Sequence, residues 1–243
     1  MKILLLDIET APAIAYVWSM RDKFIPIDRL IEPGYTLCYT AKWLGERDLV
    51  FDSVHVTKPL QMLKKVRALL DEADAVVHYN GRRFDIPVLE AEFLTNGILP
   101  PSPFHQVDLY QTAKRFALPS RKLDYICQRL GLGQKVKHQG MDLWKACMAG
   151  EEAAWKKMEK YNRQDVRLLE NLYSVLLPWV QGHPNHAIES GDDCCPHCGS
   201  LDLKWKGYRE SITRRYRRFV CKDCGAWGRS VKCERDTAKV RGF

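Results

Sequence analysis

The N-terminal segment KILLLDIET constrains this chain more than any other. The apolar run Ile3 to Leu6 reads as a strand buried on both faces, as in a sheet covered by helices. Two acids close it. On a strand, residues i and i+2 point to the same side, so Asp7 and Glu9 share one face. Neighbouring carboxylates repel, and each loses hydration when buried. A core keeps such a pair when a cation sits between them. The alternative is that the strand has ended and both acids are solvated in a loop.

Short apolar, β-branched and aromatic runs predict strands near 2–8, 13–19, 35–43 and 49–55, with a loop over 21–33. PLQMLKKVRALLDE, about 58–72, has helical spacing. DAVVHYN, 74–80, reads as a second buried strand, and a helix follows from about 84 to Gly97. Beyond the turn LPPSP the chain is expected to be largely helical, near 108–117, 121–131, 141–149 and 151–177. Strands first and alternation afterwards predict a mixed α/β sheet flanked by helices. LLPWVQGHPNHAIESGDD, 176–193, has the composition of a linker. The expected organisation is a domain over 1–178, a linker over 179–192 and a small cysteine-rich domain over 193–243.

Two more acids stand out by their settings. Asp85, in VVHYNGRRFDIPVL, opens a helix just after a buried strand, where the helix dipole and capping alone also favour an acid. Asp165, in MEKYNRQDVRLLENLY, lies four residues after Tyr161, and on a helix the two share a face. That face continues through Leu168, Leu169 and Leu172, so it is the core side. An acid there must be paired, with a cationic side chain or with a metal. His78, on the apolar strand, reads as structural.

Taken in order, DxE on the first strand, YNGxxFD at a strand-to-helix junction and YxxxD on a late helix resemble the DEDD 3′–5′ exonucleases. More narrowly, they are similar to the tyrosine subclass, which includes the proofreading domain of family B DNA polymerases. The segments LLDEADAVVHYN, VDLYQTAKR and RKLDYICQRLGLGQK also look like that group, and the resemblance covers about residues 1–178. It implies a ribonuclease H-like fold, with three antiparallel strands followed by parallel ones. It also implies phosphodiester hydrolysis with two Mg²⁺ or Mn²⁺ ions, which hard oxygen ligands select over zinc. By resemblance, Asp7 bridges both ions, Glu9 and Asp165 help hold the one that binds the attacking water, and Asp85 holds the other. Tyr161 orients that water through its hydroxyl. Asn80 and Phe84 match positions that meet the terminal nucleotides, core packing being the alternative for Phe84. Lys122 and Lys135 flank the helix LDYICQRLG and are candidates for phosphate contact, solvated lysines being the alternative.

Cysteine usage marks the other end. Cys38, Cys127 and Cys147 are scattered and read as small buried hydrophobes. The remaining six of nine crowd into 194–233. CPHCGS and CKDCGA are two CxxC knuckles, each followed by glycine, and they form a zinc-ribbon signature. Cys195, Cys198, Cys221 and Cys224 are the expected ligands of one structural Zn²⁺, with Cys194 and His197 as alternatives at the first knuckle and Cys233 as a spare thiol. Four cysteines leave no open coordination position for catalysis.

Between the knuckles runs KWKGYRESITRRYRRFV, in which Arg214, Arg215, Arg217 and Arg218 alternate with aromatic residues. Residues 181–243 hold 13 Lys/Arg against 8 Asp/Glu, so much of the chain's net charge of +8 is concentrated there. Cations engage phosphates and aromatic rings stack on unpaired bases, which points to nucleic acid; a protein partner for the ribbon is the alternative. No apolar run reaches the length of a membrane span and no signal pattern opens the chain, so a soluble cytoplasmic protein is expected.

The resulting expectation is a metal-dependent 3′–5′ exonuclease acting on single-stranded 3′ ends of DNA or RNA. The alternatives are a structure-specific endonuclease on the same fold and a non-catalytic nucleic-acid-binding protein. All four acids and the tyrosine are present, which argues against the last, and YxxxD belongs to the exonuclease subclass.

Overall fold

In the computed structural model, which describes residues 1–21 and 24–234, the N-terminal apolar run is the middle strand of a five-stranded sheet. Two residues of the expected 21–33 loop and the end of the basic tail, 235–243, lie outside the described residues. The chain divides into two compact units, Lys2–Leu172 and the segment from Tyr173 onward.

In the first unit, β1 (Ile3–Thr10) is followed by a small hairpin of β2 (Ile14–Ala15) and β3 (Leu30–Glu32), then by β4 (Thr36–Trp43), β5 (Val50–Ser53) and α1 (Pro59–Glu72). Next come β6 (Ala75–His78), α2 (Asp85–Thr95), β7 (His105–Asp108), α3 (Leu109–Ala113), α4 (Leu123–Arg129), α5 (Met141–Met148) and the long α6 (Glu152–Leu176). The sheet order is β5-β4-β1-β6-β7. The strands β5, β4 and β1 are antiparallel, and β6 and β7 run parallel to β1. This is the ribonuclease H-like arrangement that the motifs imply.

The two faces of β1 have different partners, because successive side chains alternate across the sheet. Leu4, Leu6 and Ile8 pack with Met62, Leu63, Val66 and Leu70 of α1 and with Ile86, Leu89 and Phe93 of α2. On the other side Cys38 packs with Leu143 and Cys147 of α5 and with Trp155, Met158 and Tyr161 of α6. Glu9 pairs with Cys38 and Asp7 with Thr40 across the β1–β4 ladder, and opposite residues share a face. Both acids therefore point to the side that α6 covers.

Two sequence expectations fail here. The apolar stretch 13–19 forms only the two-residue β2, and Trp18 and Met20 beyond it are 87% and 95% exposed. Strand propensity needs a neighbouring strand to satisfy the backbone, and only the three residues of β3 supply one. Conversely, β7 arises in HQVD, a segment expected to lead straight into helices. Its parallel pairing with β6 is long-range, and its mixed polarity carries no local strand signal.

The second unit contains α7 (His186–Ser190) and an antiparallel sheet of β8 (Leu203–Glu210), β9 (Arg215–Cys221) and β10 (Trp227–Arg229), in the order β10-β9-β8. Helix α7 lies within the expected linker. The Asn185 side chain caps it by accepting from Ala187 N at 2.9 Å. His183 Nδ1 donates to Pro184 O at 2.7 Å, and its Nε2 accepts from the Tyr173 hydroxyl at 2.7 Å. Burial pushes the His183 pKa down to about 4, which keeps it neutral. Among the described residues, no helix is long and apolar enough to cross a membrane.

Candidate active site

The carboxylates come together where β1 ends. Oxygens of Asp7, Glu9 and Asp165 lie within 4.8 Å of one another. The strand places the first two, and α6 brings Asp165 to them from the sheet face on which its Met158 and Tyr161 pack. Asp165 is 1% exposed, on the same buried stripe as Leu168, Leu169 and Leu172. A register shift between Glu9 and Thr10 breaks the β1–β4 ladder beside the cluster. Such bulges re-aim side chains at strand ends.

Asp85 is placed differently. It opens α2, and its Oδ1 accepts from the backbone N–H of Ile8, between the two β1 acids, at 3.1 Å. Asp85 lies outside the tight trio, yet its charge raises the pKa values of both Asp7 and Glu9.

The electrostatics are those of a site short of positive charge. Burial, then the charges of Asp165, Asp85 and Glu9, hold Asp7 well above the usual carboxylate range. Burial, with Asp165 next, pushes Glu9 up to about 8. Asp85 is pushed up to about 6 by burial, against the pull of the Ile8 hydrogen bond. Asp165 is raised by burial as well, although Lys135 pulls it down. Lys135 Nζ lies 2.5 Å from Asp165 Oδ2 and donates to the Tyr161 hydroxyl at 3.2 Å. Among the described residues, one ammonium group does not balance four acids of which Asp85 and Asp165 are buried and Asp7 and Glu9 half-buried. Several buried polar atoms here also have no partner among the described residues: Asp165 Oδ1, Asn162 Oδ1 and the Thr40 hydroxyl. Orphaned acceptors and protonation-prone carboxylates in a core are what a divalent cation relieves. The donor set, all oxygen, fits Mg²⁺ or Mn²⁺.

Tyr161 packs edge-on against His138 and Trp144, with ring centroids 4.9 and 6.0 Å away. Burial, Asp165 and Glu9 push its pKa up, so it stays protonated. Sequence reasoning missed Asn162. Its amide donates to Asp7 Oδ2 at 2.7 Å and fixes that carboxylate. The available signal was its position three residues before Asp165 on the same helix. The sequence also gives no sign that Lys135, a candidate for phosphate contact, pairs with Asp165. Asp124 positions this lysine's backbone by accepting from Lys135 N at 2.7 Å.

The YNG turn beside the acids has a mechanical explanation. Asn80 has φ +68°, the left-handed region that asparagine tolerates better than most residues. Its N–H donates to Asp108 Oδ1 at 2.8 Å, and the same oxygen caps α3 at Tyr110 N. Gly81 N donates to His78 Nδ1 at 3.0 Å. A Cβ at Gly81 would sit 2.4 Å from the His78 ring, so only glycine fits. His78 is fully buried and structural, as expected. Phe84 does not pack into the core; it is 43% exposed.

Asp7, Tyr79, Asn80, Tyr110, Lys122, Asp124 and Lys135 line a cleft of about 470 Å³, together with Arg121 and Leu123. The lining thus combines the carboxylates of Asp7 and Asp124 with cationic and aromatic groups.

In the second unit the four expected thiols converge within 4.8 Å. Cys195 and Cys224 sulfurs are 3.6 Å apart, as are those of Cys198 and Cys221. Sulfurs at about 2.3 Å from a tetrahedral Zn²⁺ would be spaced by nearly this much. The two knuckles are built alike: Gly199 and Gly225 have φ +74° and +78°, and their N–H groups donate to Cys195 O and Cys221 O. Cys194 and His197 stand outside this group; Cys194 meets the Ser190 hydroxyl and His197 the Val180 carbonyl. Arg214, Arg215, Arg217 and Arg218 fall on or beside the β8–β9 hairpin.

Solved structures of known proteins are similar to this chain. The family B DNA polymerase of Pyrobaculum calidifontis matches with 18% identity and a TM-score of 0.56, over 73% of this chain and 24% of the polymerase. Trypanosoma brucei RNase D matches with 19% identity and a TM-score of 0.43, over 70% of this chain and 56% of RNase D. The same enzyme in complex with RNA U12 gives 18% identity and 0.42, over 70% and 54%. The chain therefore spans about a quarter of the polymerase and about half of RNase D. A search of curated proteins gave no match. The RNase_H superfamily description (RNase_H_2) matches residues 50–177, more than half of the sequence and the part that carries Asp85, Tyr161 and Asp165. With β1 completing the same sheet, the chain belongs to the RNase H superfamily.

Proposed function

We propose that this protein is a metal-dependent 3′–5′ exonuclease acting on single-stranded 3′ ends of DNA or RNA. One observation carries the reading: carboxylates from β1 and α6 converge without enough positive charge among the described residues to balance them, and Asp7 of that group lines an open cleft. Asp7, Glu9, Asp165 and Asp85 are the residues that would hold two divalent ions. Bound there, such ions supply a hydroxide-like nucleophile at neutral pH and neutralise charge on the phosphorane-like transition state.

The chain's own groups do the positioning. Asn162 holds the Asp7 carboxylate in one orientation through its 2.7 Å hydrogen bond. Tyr161, protonated and wedged between His138 and Trp144, presents a fixed hydroxyl that orients the attacking water and does not act as a base. Lys135 favours the ionised form of Asp165 against the effect of burial and steadies the Tyr161 oxygen. The cleft lies within the usual range of ligand sites, about 300–1,000 Å³, and would admit the terminal nucleotide. Lys122 faces its phosphates, Asn80 hydrogen-bonds it and the exposed Phe84 packs on the next base.

We assign this catalysis to residues 1–178, joined through 179–192 to a zinc ribbon over 193–243, with Cys195, Cys198, Cys221 and Cys224 binding one structural Zn²⁺. Reduced thiols in such a site suit a cytoplasmic setting. The test is cleavage of 5′-labelled single-stranded DNA and RNA in Mg²⁺, in Mn²⁺ and in EDTA, beside Asp7→Ala. A metal-dependent ladder shrinking from the 3′ end, absent in the variant, is expected. Internal cuts would replace the reading with an endonuclease. Binding without cleavage would replace it with a non-catalytic scaffold.

A further inference from the structure

The arginines of the ribbon look equivalent in sequence, and the hairpin separates them. Residues directly opposite across a ladder share a face. Leu203 pairs with Cys221, Trp205 with Phe219, Tyr208 with Arg217 and Glu210 with Arg215, so these form one face. The other face holds Lys204, Arg209, Tyr216 and Arg218, and β10 adds Trp227 and Arg229 through their pairing with Val220 and Arg218.

The two faces differ in charge. On the first, Arg215 is paired with Glu210, and Arg217 lies 3.4 Å from Glu234. Leu203 and Cys221 on that face pack into the cysteine cluster. On the second, none of the four cations Lys204, Arg209, Arg218 and Arg229 meets a carboxylate among the described residues, and the strands place no acid there. Arg218 lies over the Trp227 ring at 5.1 Å and Arg229 over Tyr216 at 3.9 Å. The backbone carbonyls of Lys206 and Ser230 take one donor from each guanidinium, and the remaining donors stay available. Trp227 is 51% exposed.

We propose that this second face binds single-stranded nucleic acid, and that Arg215 and Arg217 on the first face do not take part. The surface supplies both elements such a ligand needs: cations that no described acid pairs, for successive phosphates, and the exposed Trp227 and half-buried Tyr216 rings, backed by guanidinium groups, on which bases stack. Duplex would meet the same cations but could not use the rings, because its bases are already stacked. The inference rests on the reading that nucleic acid is this protein's substrate.

The test compares two charge-matched variants of the full chain, Arg218→Gln with Arg229→Gln and Arg215→Gln with Arg217→Gln. Binding of a 5′-labelled oligodeoxythymidylate is followed by fluorescence anisotropy over a range of KCl, with Ca²⁺ replacing Mg²⁺. Zinc content is measured for each protein, so that a misfolded ribbon is recognised. The first variant is expected to bind about tenfold more weakly and to lower the slope of log K against log[salt] by about 1.4, at about 0.7 for each phosphate no longer neutralised. The second should stay within about twofold of the parent. Trp227→Ala should also bind about tenfold more weakly, with the slope unchanged. Equal effects of the two arginine variants, or a larger effect of the second, would overturn the proposal. So would tighter binding of duplex than of single strand. Cleavage of the same oligonucleotide in Mg²⁺ separates this inference from the functional reading. A parent that cleaves while the variants bind alike overturns the ribbon face alone, and face-dependent binding by a parent that never cleaves overturns only the exonuclease.

Discussion

The four thiols of the C-terminal unit come from two short turns, Cys195–Cys198 and Cys221–Cys224, each closed by its own glycine. The three clustered carboxylates of the N-terminal unit come from a strand at one end of the sequence and a helix at the other. The thiol cluster has almost nothing else to hold it: Cys195, Cys221 and Ala226 are the only fully buried members of its apolar group among the described residues. The carboxylate cluster sits on a sheet whose faces are packed by four helices. On the proposed reading, one site would make its surroundings fold and the other is imposed on surroundings that fold without it. In the first, a bound ion would be part of the folded structure. In the second, the fold would hold the acids together against their repulsion until an ion arrives.

The largest expected effect is on the thiol side. Cys198→Ser with Cys224→Ser should abolish zinc binding and make 193–234 sensitive to proteolysis, because structural zinc contributes about 10–16 kcal/mol of apparent binding energy to folding. The sheet of the first unit should keep its unfolding transition by circular dichroism. Loss of both together would break the comparison.

Next is catalysis. Asp7→Asn or Asp165→Asn should lower the cleavage rate by about a thousandfold or more, with unchanged secondary structure. In the metal-free protein Asp7→Asn should also raise the melting temperature at pH 8, because it removes a charge that burial and three neighbouring acids oppose. A fall in that melting temperature would show that the acids are stabilising even without an ion.

A related effect concerns pH. Glu9 titrates at about 8 in the folded protein and near 4.5 when unperturbed. Between those values the folded chain holds a proton that the unfolded chain has released. Metal-free stability should therefore fall as pH rises through this window, with Asp85 adding to the fall up to about 6. Chemical denaturation at a series of pH values measures the slope. Glu9→Gln should flatten its upper part, and Mg²⁺ should do the same by replacing the protons.

The smallest expected change is in Tyr161→Phe. It removes a hydroxyl that positions water and touches Lys135, so turnover should fall by about tenfold to a hundredfold. Metal affinity, read by Mn²⁺ titration, should stay nearly constant. A large change in that affinity would make Tyr161 part of the ion site and not a positioner.

The thiol site was legible from the sequence because both of its halves are local: CxxC followed by glycine fixes a turn wherever it occurs. The strand-end acids were legible in part. Alternation put Asp7 and Glu9 on one face, and helical spacing put Asp165 and Tyr161 on another element's buried stripe. That these stripes face each other followed only from resemblance. Lys135, whose ammonium meets Asp165, carries no mark in its own neighbourhood, and Asn162, whose amide fixes Asp7, is marked only by its place three residues before Asp165. The failure at 13–19 has the same origin: its apolar residues promise a strand, and the chain offers almost no partner for it.

By itself the sequence determined what depends on near neighbours: the buried strand with its paired acids, the helical stripes, the two cysteine turns and the abundance of arginine between them. Tertiary structure decided what depends on which face meets which. It set α6 over the odd-numbered side of β1, tied Asp85 to the Ile8 backbone, gave Asp165 a lysine and divided the ribbon's arginines between a face where acids meet them and one where, among the described residues, none does. The physical reason is that sheet register and helix packing are fixed by long-range burial and pairing, which no short segment encodes.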